Sequence, residues 1–228
     1  MKCNNFMTVT YDDVTKAQET QSKVIRKTSL EFSETFSKIC GAKVYLKNEY
    51  EQKTGSFKIR GAYYKIKSLT DEEKSKGVVA ASAGNHSQGV AFASHIENIP
   101  CTIVMPKTAS PAKVSATKGY GANVVLEGST YDESWAHAQK IASETNATII
   151  HAFDDSHVIA GQGVIGLEIL DQLPDVDEIY VPIGGGGLVA GILTAVKEKN
   201  PNIKIIGVES SAYPAMKKSV ETNSLETV

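Results

Sequence analysis

The chain has 228 residues, of which 41% are hydrophobic and 22% are charged, with a formal net charge of −2 at pH 7. This composition is typical of a globular protein with a substantial core, and the interspersed charges provide no basic surface for nucleic acid or an anionic membrane. The cysteines Cys3, Cys40 and Cys101 are odd in number and widely spaced, which argues against a secreted disulfide framework.

The first ten residues contain no apolar segment of the kind found in signal peptides. The longest apolar run, Leu188–Val196, is far shorter than the roughly 20 residues that span a bilayer. We therefore expect a soluble, cytoplasmic protein that binds neither nucleic acid nor membrane.

Patterns of apolar and polar residues predict strands that alternate with helices along the chain. Strands are predicted at residues 43–50, 77–82, 101–105, 123–126, 148–152, 178–183 and 204–208. Helices are predicted at residues 11–24, 56–69, 88–95, 111–118, 131–145, 157–173, 188–199 and 213–221. Such alternation is typical of parallel βαβ units. The sequence therefore predicts an α/β protein whose open, mainly parallel sheet is covered by helices on both faces.

Residues 54–62, TGSFKIRGA, place Lys58 between Phe57 and Ile59 after a Gly-Ser break. Because lysines usually lie at the surface, an aromatic and a β-branched neighbour predict that this lysine begins a partly buried helix. Burial disfavours the charged form of an amine, and a neutral ε-amine can attack a carbonyl to form a Schiff base. The alternative is a lysine that extends its charge into water, and the triplet alone favours that alternative.

Four consecutive glycines, Gly184–Gly187, lie between a predicted strand and a predicted helix. Glycine lets the backbone turn its N–H groups toward a ligand, and the following helix adds the positive end of its dipole. The junction therefore predicts a phosphate-binding loop, although a flexible loop without a ligand is the alternative. The Gly-Lys-Ser or Gly-Lys-Thr ending of a nucleotide P-loop is absent.

Gly161, Gly163 and Gly166 match the spacing G-x-G-x-x-G of dinucleotide-binding proteins. However, the residues before them do not form a strand that runs directly into the glycines, as that motif requires. We interpret these glycines instead as positions that allow a helix to pack tightly against the sheet.

The loop after the strand predicted at residues 77–82 carries Ser82, Asn85 and His86. Hydroxyl, amide and backbone N–H groups there can bind a carboxylate or a ring oxygen. Equally, Ser82 or Asn85 can simply cap the next helix, and these residues alone do not decide between the two. No H-E-x-x-H, C-x-x-C or G-x-S-x-G pattern predicts a metal site or a serine hydrolase.

Four segments resemble the fold-type II pyridoxal-phosphate enzymes, specifically the branch of threonine dehydratases and serine racemases. They are residues 52–62 (QKTGSFKIRGA), 82–86 (SAGNH), 158–168 (VIAGQGVIGLE) and 182–188 (PIGGGGL). The resemblance implies a two-domain, tryptophan synthase β-like fold. Its large cofactor-binding domain would comprise residues 1–76 and 153–228, and its small substrate-loop domain residues 77–152. It further implies that the large domain is incomplete, with the partner of the pyridine nitrogen beyond Val228.

The resemblance also implies a role for each site residue. Lys58 would hold pyridoxal 5'-phosphate as a Schiff base and then transfer the α-proton of the substrate. Phe57 would lie beside the cofactor ring, and Asn85 would form a hydrogen bond with its phenolic oxygen. The phosphate would be bound by the backbone N–H groups of Gly184, Gly185, Gly186, Gly187 and Leu188. The substrate carboxylate would be bound by Ser82, Ala83, Gly84, Asn85 and His86.

The activity that the resemblance implies is β-elimination of L-threonine, and more weakly of L-serine, to 2-oxobutanoate or pyruvate and ammonia, by a homodimer or homotetramer. Serine racemases carry a serine where Ala83 stands, which favours elimination here. Cysteine-synthase relatives usually carry a threonine where His86 stands. Metal-binding members have an acid shortly after the position of Glu209, whereas Tyr213-Pro214-Ala215 follow here, so we expect no metal. The alternatives are a serine racemase, a β-replacement enzyme and a non-catalytic cofactor-binding fragment.

Overall fold

The computed structural model describes residues 9–226; residues 1–8, which include Cys3, and residues 227–228 lie outside the described residues. The helices are α1 (Tyr11–Gln21), α2 (Glu34–Cys40), α3 (Lys58–Lys67), α4 (Asp71–Lys76), α5 (Asn85–Ile96), α6 (Pro111–Gly119), α7 (Tyr131–Thr145), α8 (Ser156–Gln172), α9 (Gly187–Lys199) and α10 (Ala215–Thr222). The strands are β1 (Leu30–Phe32), β2 (Tyr45–Lys47), β3 (Val78–Ala81), β4 (Cys101–Met105), β5 (Asn123–Leu126), β6 (Thr148–Ile149), β7 (Glu178–Pro182) and β8 (Lys204–Val208). Among residues 9–226, every helix is too short or too polar to cross a bilayer.

The elements predicted from residue 77 onward are confirmed, with their ends shifted by a few residues. Before residue 77, the patterns miss β1, α2 and α4. Thr70, one residue past the helix predicted at residues 56–69, leads into α4 because it forms a capping box with Glu73. The Thr70 hydroxyl accepts a hydrogen bond from the Glu73 amide at 3.2 Å, and the Glu73 carboxylate accepts one from the Thr70 amide at 2.8 Å.

The first two strands depart from the predicted parallel pairing. The strand predicted at residues 43–50 is reduced to β2, and it pairs antiparallel with β1. Alternation of apolar and polar residues indicates a strand but not its direction, so the sequence pattern alone could not reveal this small antiparallel sheet. The remaining strand pairs are parallel, as predicted.

The chain divides into two compact units. Of the described residues, 9–18 and 153–226 form one, called the terminal unit here, and residues 19–152 form the other, the central unit. This division groups residues 19–76 with residues 77–152, whereas the resemblance assigns them to the large domain. The predicted domain boundaries stay a prediction.

The central unit contains a four-stranded parallel sheet with the strand order β5-β4-β3-β6. Alternate residues of β3 belong to different cores: Val78 and Ala80 pack in one cluster, and Val79 and Ala81 pack in a second. A strand buried on both faces reads as a continuous apolar run, which explains its sequence. Because β3 and β6 are parallel neighbours, the segments that follow them, Ser82–His86 and Ile150–Ala152, leave the same edge of the sheet.

In the terminal unit, β7 and β8 form a parallel pair, and α8 packs closely on α9. A Cβ atom on Gly191 would overlap the carbonyl oxygen of Ile159, and one on Gly163 would lie 2.7 Å from the carbonyl oxygen of Gly191. A Cβ atom on Gly166 would lie 3.1 Å from that of Ala195. The tight packing predicted for this helix is therefore present at Gly163 and Gly166, but their partner is the helix α9 and not the sheet.

Candidate functional site

Lys58 is the first residue of α3 and is half-buried. Its Nζ atom donates a hydrogen bond to the carbonyl oxygen of Ala152 at 2.7 Å and lies 5.3 Å from the centre of the Phe57 ring. Burial lowers the pKa of this ammonium group. The lysine therefore points into the protein, in contrast to the alternative in which its charge extends into water.

Gly89 brings α5 against the start of α3, a contact that the sequence patterns do not reveal. A Cβ atom on Gly89 would lie 3.0 Å from the amide nitrogen of Ile59 and 3.1 Å from the carbonyl carbon of Lys58. A side chain at this position would push α5 away from Lys58. Glycine inside a helix costs about 1 kcal/mol relative to alanine, so its presence in the predicted helix 88–95 was an available signal of close packing.

The segment Ser82–His86 lies after β3, where α5 begins earlier than predicted. Gly84 occupies the N-cap position, so neither Ser82 nor Asn85 caps the helix; the Ser82 hydroxyl instead accepts a hydrogen bond from the Gly84 amide at 3.2 Å. Within residues 9–226, the amides of Asn85, His86 and Ser87 donate to no acceptor. Three free N–H groups at a positive helix end can bind a carboxylate.

The side chain of Asn85 is exposed, and its Oδ1 atom accepts a hydrogen bond from the Nζ atom of Lys113 at 3.2 Å. This contact leaves the Nδ2 group of Asn85 as the donor. Ala83 is half-buried and packs against the larger core cluster of the central unit.

His86 is only 4% exposed, and its Nε2 atom lies 2.9 Å from the carbonyl oxygen of Ile150. A carbonyl oxygen only accepts hydrogen bonds, so Nε2 carries the proton and Nδ1 is an acceptor. Burial, with smaller contributions from the charges of Lys58 and His151, lowers the pKa of His86 to about 4. The imidazole is therefore neutral at pH 7, and a contact of His86 with a carboxylate would use its backbone amide.

The lowered pKa of His86 predicts a specific loss of stability in acid. The ordinary value of 6.5 falls to about 4 in the folded chain, so the unfolded state binds the proton more tightly. The resulting stabilisation is present above pH 6.5 and is lost as the pH falls toward 4, by about 3 kcal/mol. Urea unfolding at pH 7 and pH 4.5 should show a larger loss for the native chain than for His86→Gln. Equal losses would contradict the assignment.

The glycine loop, Gly184–Leu188, connects β7 to α9 in the terminal unit. Gly186 has a φ of +87° and occupies the N-cap position without a side chain. A Cβ atom on Gly185 would overlap the Phe153 ring, and one on Gly187 would lie 2.5 Å from the Phe153 carbonyl oxygen. Within residues 9–226, no amide of the loop donates a hydrogen bond. The loop therefore presents bare N–H groups at a helix N-terminus, which suits a phosphate.

Glu209 caps α10: its carboxylate oxygens accept hydrogen bonds from the amides of Met216 and Lys217, both at 3.0 Å. A carboxylate at a helix N-terminus is stabilised there by the helix dipole. Across residues 9–226, no group of three or more His, Cys, Asp or Glu side chains is arranged to hold a metal ion. The expectation of no metal stays a prediction.

The sequence profile of one family, described as pyridoxal-phosphate dependent enzyme, matches residues 21–228. An L-threonine ammonia-lyase of Thermotoga maritima is 50% identical over 220 residues, which are 96% of this chain and 55% of that protein. A catabolic L-threonine dehydratase of Staphylococcus aureus is 50% identical over 212 residues, which are 92% of this chain and 61% of that protein. The chain thus spans somewhat more than half the length of these curated relatives.

Two solved structures have the same fold over nearly the whole chain. The threonine deaminase isoform 2 of Solanum lycopersicum has a TM-score of 0.91 and 41% identity, over 94% of this chain and 60% of that one. Maize serine racemase has a TM-score of 0.94 and 35% identity, over 97% of this chain and 67% of that one. The predicted α/β fold with parallel sheets flanked by helices is confirmed.

Proposed function

The chain belongs to the family of pyridoxal-phosphate-dependent enzymes, and on that premise we propose that the protein converts L-threonine to 2-oxobutanoate and ammonia, with L-serine as a weaker substrate. The observation that carries the proposal is the half-buried Lys58, whose Nζ atom is held 2.7 Å from the Ala152 carbonyl oxygen. The names of the two curated relatives support the choice of threonine.

Each unit, taken by itself, has residues that suit one part of the cofactor. Lys58 offers an amine whose burial increases the fraction that is neutral and nucleophilic. The glycine loop offers unpaired amides at the start of α9 for a phosphate. When bound, pyridoxal phosphate supplies the electron sink for the electron pair left by cleavage of the α C–H bond.

The remaining proposed roles follow from the hydrogen-bonding groups and the ring surface that these residues offer. Phe57 offers an aromatic face next to the Lys58 amine. Asn85 can donate through Nδ2 to a phenolic oxygen, since its Oδ1 atom already accepts from Lys113. The free amides at the start of α5 bind the substrate carboxylate. Ser82 contributes by holding the Gly84 amide, which shapes the turn into the helix.

Lys58 is also the group that we assign to accept the α-proton of the substrate. Ala83 has no titratable group, so no acid or base at this position can deliver a proton to the opposite face of the α-carbon. Threonine would therefore lose its α-proton and its β-hydroxyl as water, and hydrolysis would then release the nitrogen as ammonia. Elimination is favoured over racemisation for this reason.

The test is an assay of the full-length protein with pyridoxal phosphate and each amino acid. We expect L-threonine to yield 2-oxobutanoate faster than L-serine yields pyruvate, with little D-serine and no replacement product from O-acetylserine and sulfide. D-serine as the main product would instead support a racemase. Absence of turnover on every substrate would support the non-catalytic alternative. Light scattering on the same sample tests the predicted homodimer or homotetramer, and cell fractionation tests the cytoplasmic location.

A further inference from the structure

The segment that carries Lys58, residues 52–60, forms hydrogen bonds at both of its ends with one residue, Arg26. At the first end, the Nε2 atom of Gln52 donates to the Arg26 carbonyl oxygen at 2.7 Å, and its Oε1 atom accepts from the Arg26 amide at 3.3 Å. At the other end, the Nη2 atom of Arg60 donates to the same carbonyl oxygen at 3.3 Å. Gln52 and Arg60 are both buried, so these bonds are shielded from water.

Arg60 is held by a second, charged contact. Its Nε and Nη2 atoms donate to the two carboxylate oxygens of Glu49, each at 2.8 Å, and its side chain is 0% exposed. The Oε1 atom of Glu49 also accepts from the hydroxyl of Thr28 at 2.7 Å. Two parallel bonds fix the guanidinium plane as well as its distance. Buried ion pairs contribute little net stability, since desolvation offsets the attraction. The geometry that this pair imposes on Arg60 therefore says more about its role than its contribution to stability.

The backbone of Arg60 is equally constrained. Its amide donates to the carbonyl oxygen of Phe57 at 3.0 Å, and its own carbonyl oxygen accepts from the Nε2 atom of the buried Gln21 at 2.9 Å. Lys58 lies between Phe57 and Arg60 in the first turn of α3. Any shift or rotation of this turn would therefore move the lysine away from the Ala152 carbonyl oxygen.

We propose that Arg60, held by Glu49, is a positioning residue that determines where the Nζ atom of Lys58 lies. This inference rests on the proposed function, in which Lys58 binds the cofactor. The chemistry that would depend on it is the condensation of the lysine amine with the carbonyl group of pyridoxal phosphate, which forms a C=N bond, releases the carbonyl oxygen as water and requires close and directed approach.

The test uses the full-length protein freed of cofactor and then mixed with pyridoxal phosphate. Arg60→Lys keeps the positive charge but loses the planar, bidentate contact with Glu49. We expect the bond between cofactor and lysine to form about 100-fold more slowly, as monitored by its visible absorbance. A displacement of ~1 Å can reduce a reaction rate by that factor. The exposed ion pair of Lys76 with Glu72 provides the control, and Lys76→Met should form the bond at the native rate.

A double variant, Arg60→Met with Glu49→Met, separates positioning from stability. Apolar side chains of similar length can replace a buried ion pair without loss of stability, so this variant should remain folded in urea unfolding but still form the bond slowly. A native rate in the double variant, or in folded Arg60→Lys, would overturn the inference.

A second readout does not need the cofactor. Acetylation of Lys58 by acetic anhydride across a pH series, followed by mass spectrometry, reports the pKa of this amine. In Arg60→Lys the pKa should rise toward its ordinary value as the lysine moves into water, and an unchanged pKa would contradict the inference. If the native protein forms no cofactor–lysine bond, the proposed function fails, while this readout still decides whether Arg60 positions Lys58.

Discussion

Lys58→Ala is expected to abolish the visible absorbance of the cofactor–lysine bond and to lower the threonine-dependent formation of 2-oxobutanoate by about 1,000-fold or more. The variant removes both the amine that we propose to bind the cofactor and the group that we assign to accept the α-proton. Loss of a general acid–base alone costs roughly 100- to 10,000-fold. Spectra and an assay of 2-oxo acids on purified full-length protein measure the two effects.

Two further variants identify which property of Lys58 is lost in Lys58→Ala. Lys58→Arg keeps the positive charge but offers no amine that forms a Schiff base, so it should be as inactive as Lys58→Ala. Lys67→Ala, on the same helix, removes an exposed lysine that pairs with Glu97 at 2.8 Å, and it leaves the contact of Lys58 with Ala152 in place. This control should keep its absorbance and activity. Retained absorbance in Lys58→Ala would refute the assignment of the lysine.

Gly185→Ala is expected to weaken the binding of pyridoxal phosphate by roughly 10- to 100-fold. The added Cβ atom would overlap the Phe153 ring, so the glycine loop must move, and overpacking of this kind costs about 1 to 3 kcal/mol. Absorbance titration should show the loss for pyridoxal phosphate but a much smaller loss for pyridoxal, which lacks the phosphate. Equal losses for both ligands would argue against a phosphate-binding role of the loop.

The chain provides a matched control and a rescue for this variant. Gly119 lies at the end of α6, where an added Cβ atom meets no heavy atom within 4 Å, so Gly119→Ala should bind the cofactor like the native protein. In the presence of Gly185→Ala, the second substitution Phe153→Leu makes room beneath the loop and should restore part of the affinity. Failure of this rescue would mean that overlap with the ring is not the cause of the loss.

Features that depend only on residues close together in the chain could be predicted from the sequence by itself. The alternation of strands and helices from residue 77 onward, the strand-to-helix glycine loop and the membership of the family are confirmed. These are local properties: apolar periodicity selects strand or helix, and glycines mark a backbone that turns sharply or approaches its neighbours closely. The capping box of Thr70 and Glu73 belongs to the same class and was available from its spacing.

The environment of Lys58, by contrast, was decided only by the tertiary structure. The lysine donates to Ala152, which is 94 residues away, and His86 binds Ile150, which is 64 residues away. Both acceptors lie in the segment that follows β6, and they are close because β6 pairs with β3. Strand order is a property of the folded sheet that apolar periodicity does not encode, so the sequence indicated a partly buried lysine without revealing which carbonyl oxygen holds its amine.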